Sequence, residues 1–111
     1  MLKIVVTLAV LYGLLMAVAY FGQHFLTYLP DARRISPSDA GLIGVEEHTL
    51  ATPDDERVIY WYAAAQPGRP TLVYFHGNGS ALAIRAPRIA RFQAEGYGIA
   101  MMTYRGYGGS T

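Results

Sequence analysis

The feature that most constrains this sequence is an apolar run that ends in a glycine-rich turn, Thr71-Leu-Val-Tyr-Phe-His-Gly-Asn-Gly-Ser80. Its first half consists of aliphatic, β-branched and aromatic residues, which strands favour. Because polar residues do not alternate with them, the run predicts a strand covered on both faces, as in a parallel sheet. Gly77 and Gly79 then permit a sharp turn whose backbone N–H groups point at an anion or a developing oxyanion.

Several kinds of glycine-rich turn share part of this pattern. A dinucleotide-binding turn needs a third glycine, or an alanine, at the position that Leu82 occupies, so the match is poor. A P-loop needs a lysine near its end, and no lysine follows Lys3. The residues of this turn alone leave two interpretations open, a connecting turn without chemistry and an oxyanion-binding turn.

A second glycine-rich turn, Thr103-Tyr-Arg-Gly-Tyr-Gly-Gly-Ser110, follows the next apolar run. Together with His76-Gly-Asn78 it resembles the paired motifs of the membrane-anchored branch of the α/β-hydrolase-fold serine hydrolases. That branch carries H-G-N after its third strand and D-Y-R-G-[YF]-G-x-S after its fourth. Arg85 and Pro87 also match the Arg-x-Pro of that branch. Thr103 departs from the pattern, because the family has aspartate at that position.

The resemblance implies a reaction and a set of site residues. It implies hydrolysis of an ester, thioester or amide bond by a serine, an acid and a histidine in that chain order, the serine lying on a G-x-S-x-G elbow. This sequence contains no such elbow. We therefore expect the catalytic triad to lie outside this sequence, and we expect this chain to be inactive alone. The part expected here is the oxyanion loop, with the backbone N–H of Asn78 as donor, support from His76, Gly77 and Gly79, and a neighbouring turn formed by Arg105, Gly106 and Gly108.

The segments around these turns predict an α/β fold. Residues 45–50 and 57–64 predict a β-hairpin joined by the turn-forming residues 52–56. A helix is expected from Pro87 to Gly96, because proline disfavours helix in the residue before it. The next strand is expected over residues 97–103, parallel to the first apolar run. An antiparallel hairpin followed by a parallel β-α-β unit is how the α/β-hydrolase sheet begins.

Other chemistry-bearing residues are assigned to structural roles. We expect Trp61 to pack in the core rather than to form a substrate platform, and Arg105 to fix its turn through backbone contacts. His76 precedes the expected nucleophile and is interpreted as structural. The arginines that recur every third residue predict a solvated helix face rather than a phosphate or headgroup site. They are Arg85, Arg88 and Arg91.

The amino terminus predicts a membrane segment. Residues 4–22 carry no charge, and as a helix they would extend roughly 28 Å, close to the hydrocarbon thickness of a bilayer. The small residues of Ala17-Val-Ala19 suit a signal peptidase. Residues 21–30 resemble the stretch after the anchor in the same hydrolase branch, and their aromatics suit a membrane interface. We favour a single-pass anchor and leave a cleaved signal peptide open. Lys3 precedes the apolar segment and Arg33 and Arg34 follow it, so the basic residues do not decide on which side of the membrane the domain lies.

The sequence therefore divides into a membrane anchor or signal segment (1–28), a polar connector or strap (29–44) and the N-terminal part of an α/β-hydrolase domain (45–111). With 111 residues the chain is shorter than such a domain, so we expect a fragment whose last strand exposes an unpaired edge. The absence of cysteine excludes disulfides and C-x-x-C sites.

We expect a membrane-anchored serine hydrolase acting on a small-molecule, lipid or peptide substrate. We expect no cofactor, no metal and no nucleic-acid partner, since a net charge of +1 provides no electrostatic footprint for nucleic acid. The alternative left open is a membrane-tethered, non-catalytic binding module or an inactive truncated product.

Overall fold

The computed structural model describes all 111 residues. Its elements are, in chain order, α1 (Leu2–Thr27), β1 (Glu46–Ala51), β2 (Arg57–Ala63), β3 (Thr71–Phe75), a 3₁₀ turn (Leu82–Arg85), α2 (Ala86–Ala94) and β4 (Gly98–Met102).

The four strands form one mixed sheet in the order β1-β2-β4-β3. The β1–β2 and β2–β4 pairs are antiparallel, whereas β3 and β4 are parallel and are connected through α2. This arrangement confirms the predicted α/β fold, an antiparallel hairpin followed by a parallel β-α-β unit. The predicted bounds of the strands differ from the observed ones by at most one residue.

Helix α2 begins one residue before the predicted start. Ala86 already has helical angles, φ −49° and ψ −43°, although a proline follows it. Pro87 lies in the first helical turn, where backbone N–H groups have no intrahelical partner and a proline removes nothing. The preceding 3₁₀ turn leads directly into this position. The helix therefore starts at Ala86 rather than at Pro87.

The hydrophobic core lies on one face of the sheet only. Alternate residues of β2 and β4 are buried there, including Ile59, Trp61, Ile99 and Met101, and they pack against Ile89 of α2. On the opposite face of β3, the side chains of Val73 and Phe75 are 66% and 58% exposed. The prediction that this strand is covered on both faces is therefore wrong for this chain.

The unpaired edge of the sheet also differs from the prediction. β4, the last strand, lies in the interior between β2 and β3, so it has hydrogen-bonding neighbours on both sides. β3 is paired only with β4 and forms one free edge of the sheet, and β1, paired only with β2, forms the other. The crossover through α2 places β4 between β2 and β3 in the sheet. A local sequence pattern does not predict a strand order of this kind.

The connector of residues 29–44 is a strap that packs along the domain. Its Asp31 carbonyl accepts a hydrogen bond from the Gly108 N–H at 2.8 Å, and its Ile43 carbonyl accepts one from the Gln93 side chain at 3.1 Å. Leu42 is buried in the core cluster. The strap is therefore fixed to both the end of the sheet and α2.

Helix α1 makes no such contacts, and none of its residues is buried. Its length and apolar composition are sufficient to cross a membrane, and they would equally suit a signal sequence. Such a surface of exposed Leu, Val and Ile side chains is unfavourable in water.

Candidate functional site

The two glycine-rich turns meet at one end of the sheet. Because β3 and β4 are parallel, the turn of residues 76–80 and the turn of residues 103–110 both follow carboxyl ends of strands. Ligands bind at this edge in open α/β sheets. The two turns touch directly, since the ring centroids of His76 and Tyr104 lie 4.4 Å apart.

The first turn presents backbone donors that the protein itself does not use. None of the N–H groups from Gly77 to Ser80 donates a hydrogen bond within the chain, and Asn78 is exposed. Gly79 and Ser80 have positive φ angles of 108° and 60°, which re-aim the chain before the 3₁₀ turn. Backbone N–H groups left free in such a turn can donate hydrogen bonds to an anionic oxygen.

His76 fixes the orientation of the peptide that carries the predicted donor. Its side chain is buried, and Nδ1 lies 2.8 Å from the Gly77 carbonyl oxygen. A carbonyl only accepts, so Nδ1 carries the proton. The Gly77 C=O and the Asn78 N–H belong to one trans peptide and point in opposite directions. The imidazole thus holds the carbonyl inward and directs the Asn78 N–H away from the ring.

The second turn braces the first through aromatic side chains. The ring of Tyr107 lies 5.5 Å from that of His76, and its hydroxyl donates to Asn78 Oδ1 at 3.1 Å. Gly108 has a φ of 55°, and a Cβ there would lie 3.0 Å from Thr103 Cγ2. Glycine at this position lets the second turn close tightly beneath the first.

Arg105 fixes the second turn to the β1–β2 hairpin. Its guanidinium forms a bidentate pair with Asp54 at 2.7 and 2.9 Å. The hydrogen bond from Arg105 and, second, the one from the Thr52 hydroxyl lower the pKa of Asp54 to about 2. The prediction of backbone contacts for Arg105 is wrong, because an acceptor carboxylate in the hairpin turn offers its planar side chain a better-matched partner. Gly106, which follows it, lies at the exposed tip of the turn.

Thr103, where the resemblance would place aspartate, anchors a buried hydrogen-bond ring. Its hydroxyl donates to the Ile59 carbonyl at 2.9 Å, and the Ile59 N–H donates to Ser110 Oγ at 2.9 Å. The two hydroxyls are hydrogen-bonded to each other. Since the Thr103 proton is used on the carbonyl, the Ser110 proton completes the ring. The departure from the family pattern at Thr103 is the sequence signal for this ring, but the Ile59 partner in β2 was missed.

The remaining candidates lie away from the two turns. Trp61 is 1% exposed and its Nε1 donates to Glu47 at 3.1 Å, which confirms its predicted place in the core. A surface depression of about 640 Å³ lies along the arginine-bearing side of α2. There Arg88 stacks on Tyr74 and Arg91 approaches Glu95 at 3.6 Å. Arg88 and Arg91 therefore agree with the predicted solvated helix face. Arg85 does not, because it lies in the 3₁₀ turn before α2 and its Nε is buried without a hydrogen-bond partner.

The sequence matches no protein-family model. The structure is similar to crystal structures of the Pyrococcus furiosus esterase Pf2001, with a TM-score of 0.54 in two crystal forms at 17% and 19% identity. A third crystal form gives 0.52 at 16%. Each match covers 76% of this chain and 33% of the esterase, so the chain spans about a third of the esterase's length. At this identity the likeness establishes the fold alone, which is that of the first part of an α/β-hydrolase sheet.

Proposed function

We propose that this chain supplies the oxyanion loop and the membrane anchor of a serine hydrolase that cleaves ester, thioester or amide bonds. Two independent observations support the proposal: the paired turn motifs of the sequence, and a fold like that of part of an esterase. The observation that carries it is the Asn78 N–H, which has no acceptor and belongs to a peptide oriented by His76.

The chemistry assigned to this chain is stabilisation of negative charge. When a nucleophile attacks a carbonyl, the carbonyl oxygen becomes an oxyanion, and a preorganised N–H donor stabilises that charge without reorganisation at the moment of reaction. Asn78 supplies this donor, while His76 and Tyr107 hold its peptide and side chain in place. The serine, acid and histidine are assigned to the remainder of a longer polypeptide, as the family resemblance implies.

We propose a division of the chain into three parts. Residues 1–28 form the anchor, with a cleaved signal peptide as the alternative for the same segment; residues 29–44 form the connector; and residues 45–111 form the first part of the hydrolase domain. Substrates of the proposed enzyme are small-molecule, lipid or peptide carbonyl compounds.

The test removes the donor N–H in one variant, and a second variant that lacks only the Asn78 side chain serves as the control. Asn78 has a negative φ, the sign that proline requires, and proline carries no N–H. Asn78→Pro and Asn78→Ala both lose the bond to Tyr107, but only the proline variant loses the backbone donor. The variants are made in the complete polypeptide of the uninterrupted coding frame and assayed with p-nitrophenyl esters, with thermal unfolding as a check on folding.

We expect Asn78→Pro to lower kcat by about 10²- to 10³-fold, the typical effect of losing one oxyanion donor. Asn78→Ala should retain kcat within about tenfold, since one neutral hydrogen bond contributes about 1 kcal/mol. Equal losses in the two variants would reject the donor role of this N–H. A wild-type polypeptide that hydrolyses no ester, thioester or amide would instead support the non-catalytic binding module.

A further inference from the structure

The end of α1 and the candidate site are separated by a very short stretch of chain. Helix α1 ends at Thr27, and the Asp31 carbonyl is already hydrogen-bonded to the Gly108 N–H at 2.8 Å. Only residues 28–30 lie between them. A fully extended chain spans 3.3–3.6 Å per residue, so Asp31 lies at most about 14 Å from the end of the helix, whatever angle the helix adopts.

The attachment point is part of the second turn. Gly108 is adjacent to Tyr107, whose hydroxyl bonds Asn78. Arg34 reinforces the attachment, because its side chain lies against Gly109, where a Cβ would come within 2.8 Å of it, and it pairs with Glu47 at 2.6 Å. The chain that leaves α1 is therefore fixed to the second turn, whose Tyr107 contacts the residue of the proposed oxyanion donor.

The helix is longer than a bilayer's hydrocarbon core. With 26 residues it extends about 39 Å, compared with about 30 Å of hydrocarbon. Its last turns can therefore reach the interface, where Phe25 and Tyr28 provide the aromatic residues that favour that region; both are exposed. Apolar side chains are also exposed where the sheet ends, at Phe75 (58%) and Tyr104 (37%).

We propose that the end of the sheet that carries both glycine-rich turns is held against the membrane surface. The substrate is then an acyl ester of a membrane lipid, presented from the leaflet. The inference rests on the proposed function and on α1 being retained as an anchor. Lipid acyl carbonyls lie at the boundary between headgroups and hydrocarbon. The second turn is fixed to Asp31, at most about 14 Å from the helix end, so it is held near that boundary. A peptide or small molecule in bulk solvent gains nothing from such a tether.

The position of this end of the sheet relative to the membrane is measured first, because the measurement does not depend on catalytic activity. The chain has no cysteine, so single nitroxide labels are placed at Phe75→Cys, at the site end of the sheet, and at Ala94→Cys, at the opposite end of α2. The full chain is reconstituted in nanodiscs of phosphatidylcholine and phosphatidylglycerol. We expect the label at position 75 to be less accessible to an aqueous nickel chelate, and more accessible to oxygen, than the label at position 94. The inference would be overturned if the labels at positions 75 and 94 were equally accessible to both reagents. It would also be overturned if the purified protein lacked α1, because α1 would then be a cleaved signal peptide.

The substrate class is tested by lengthening the tether. Inserting about twelve Gly and Ser residues between Leu29 and Pro30 increases the free segment from three to about fifteen residues, and effective concentration falls as the −3/2 power of length, or about tenfold. The complete polypeptide should lose about tenfold in turnover of a phospholipid ester in vesicles and retain its turnover of a short soluble ester. The same insertion after Gly68, in the loop at the other end of the sheet, serves as the matched control.

The outcomes separate the two proposals. Unchanged turnover of the vesicle substrate after tether extension would overturn the membrane-facing site while leaving the hydrolase intact. Loss of activity with both substrates only in the Asn78→Pro variant would support the hydrolase. A wild-type polypeptide inactive on both substrates would reject the proposed function and the substrate inference, whereas the nitroxide measurement would still decide where the edge lies.

Discussion

Replacing Thr103 by valine tests whether the buried hydroxyl ring stabilises the second turn. Valine preserves the shape of threonine and removes only the hydroxyl. The Thr103 side chain is 1% exposed, and the loss breaks its bond to the Ile59 carbonyl. The Ser110 hydroxyl, also buried, then loses its acceptor.

The cost follows from these two losses. A net intramolecular hydrogen bond contributes about 1 kcal/mol, and a buried donor left without an acceptor costs roughly 1–3 kcal/mol. The Ile59 carbonyl keeps a second donor, the Thr103 N–H at 2.9 Å, which limits the damage. We therefore expect Thr103→Val to lower the free energy of unfolding by about 2 kcal/mol.

The assay is denaturant unfolding of the chain in detergent micelles, followed by tryptophan fluorescence. Trp61 is the single tryptophan and is 1% exposed, so its emission reports the core. Thr49→Val is the matched control, because Thr49 pairs with Ile59 from the neighbouring strand but is exposed; exposed substitutions usually change stability by less than about 0.5 kcal/mol. If Thr103→Val and Thr49→Val have the same effect, the ring does not stabilise the fold and the reasoning is refuted.

Further predictions concern the other contacts of the second turn and the packing at the start of β4. Because the folded pKa of Asp54 is about 2, below its ordinary value of 3.8, its contribution is complete above about pH 4 and is lost as the pH falls through about 2. The stability advantage of the wild type over Asp54→Asn should therefore shrink between pH 4 and pH 2 in thermal unfolding, and an advantage that grows with acid would contradict the assignment. Gly98→Ala would place a Cβ against Thr71 Oγ1 and 2.8 Å from the Ala65 backbone nitrogen, and it should cost about 1–3 kcal/mol in denaturant unfolding; an unchanged midpoint would show that the backbone yields there. Tyr107→Phe keeps the ring against His76 and removes the bond to Asn78. It should lower kcat of the complete polypeptide by less than about tenfold with KM unchanged, and a loss as large as that of Asn78→Pro would mean that the side-chain bond, rather than the N–H, carries the effect.

The predictable part of the fold is local. The β1–β2 hairpin and the β3-α2-β4 unit follow from apolar runs separated by turn-forming residues, and both are present in the structure. The place of β3 at the sheet edge was not predictable in this way, because strand order depends on pairing between distant segments. The exposed Val73 and Phe75 show that an apolar run indicates a strand suited to burial on both faces. It does not show that this chain contains a segment that covers the second face.

The candidate site divides along the same line. The paired motifs identified both turns, and the structure brings His76 and Asn78 of the first turn together with Tyr104 and Tyr107 of the second. The partners of Arg105 and Thr103 were missed. Each lies in the β1–β2 hairpin, more than forty positions earlier in the chain, and no spacing rule connects residues that far apart.

The most direct test of the central claim is fluorophosphonate labelling of the complete polypeptide that the uninterrupted coding frame specifies. A fluorophosphonate reacts with a serine activated by a neighbouring base, and the adduct places a phosphoryl oxygen where the oxyanion forms. The account predicts stoichiometric labelling of the wild type and strongly slowed labelling of Asn78→Pro, with Asn78→Ala close to wild type. A folded, membrane-bound polypeptide that acquires no label would contradict the claim that this chain is part of a serine hydrolase.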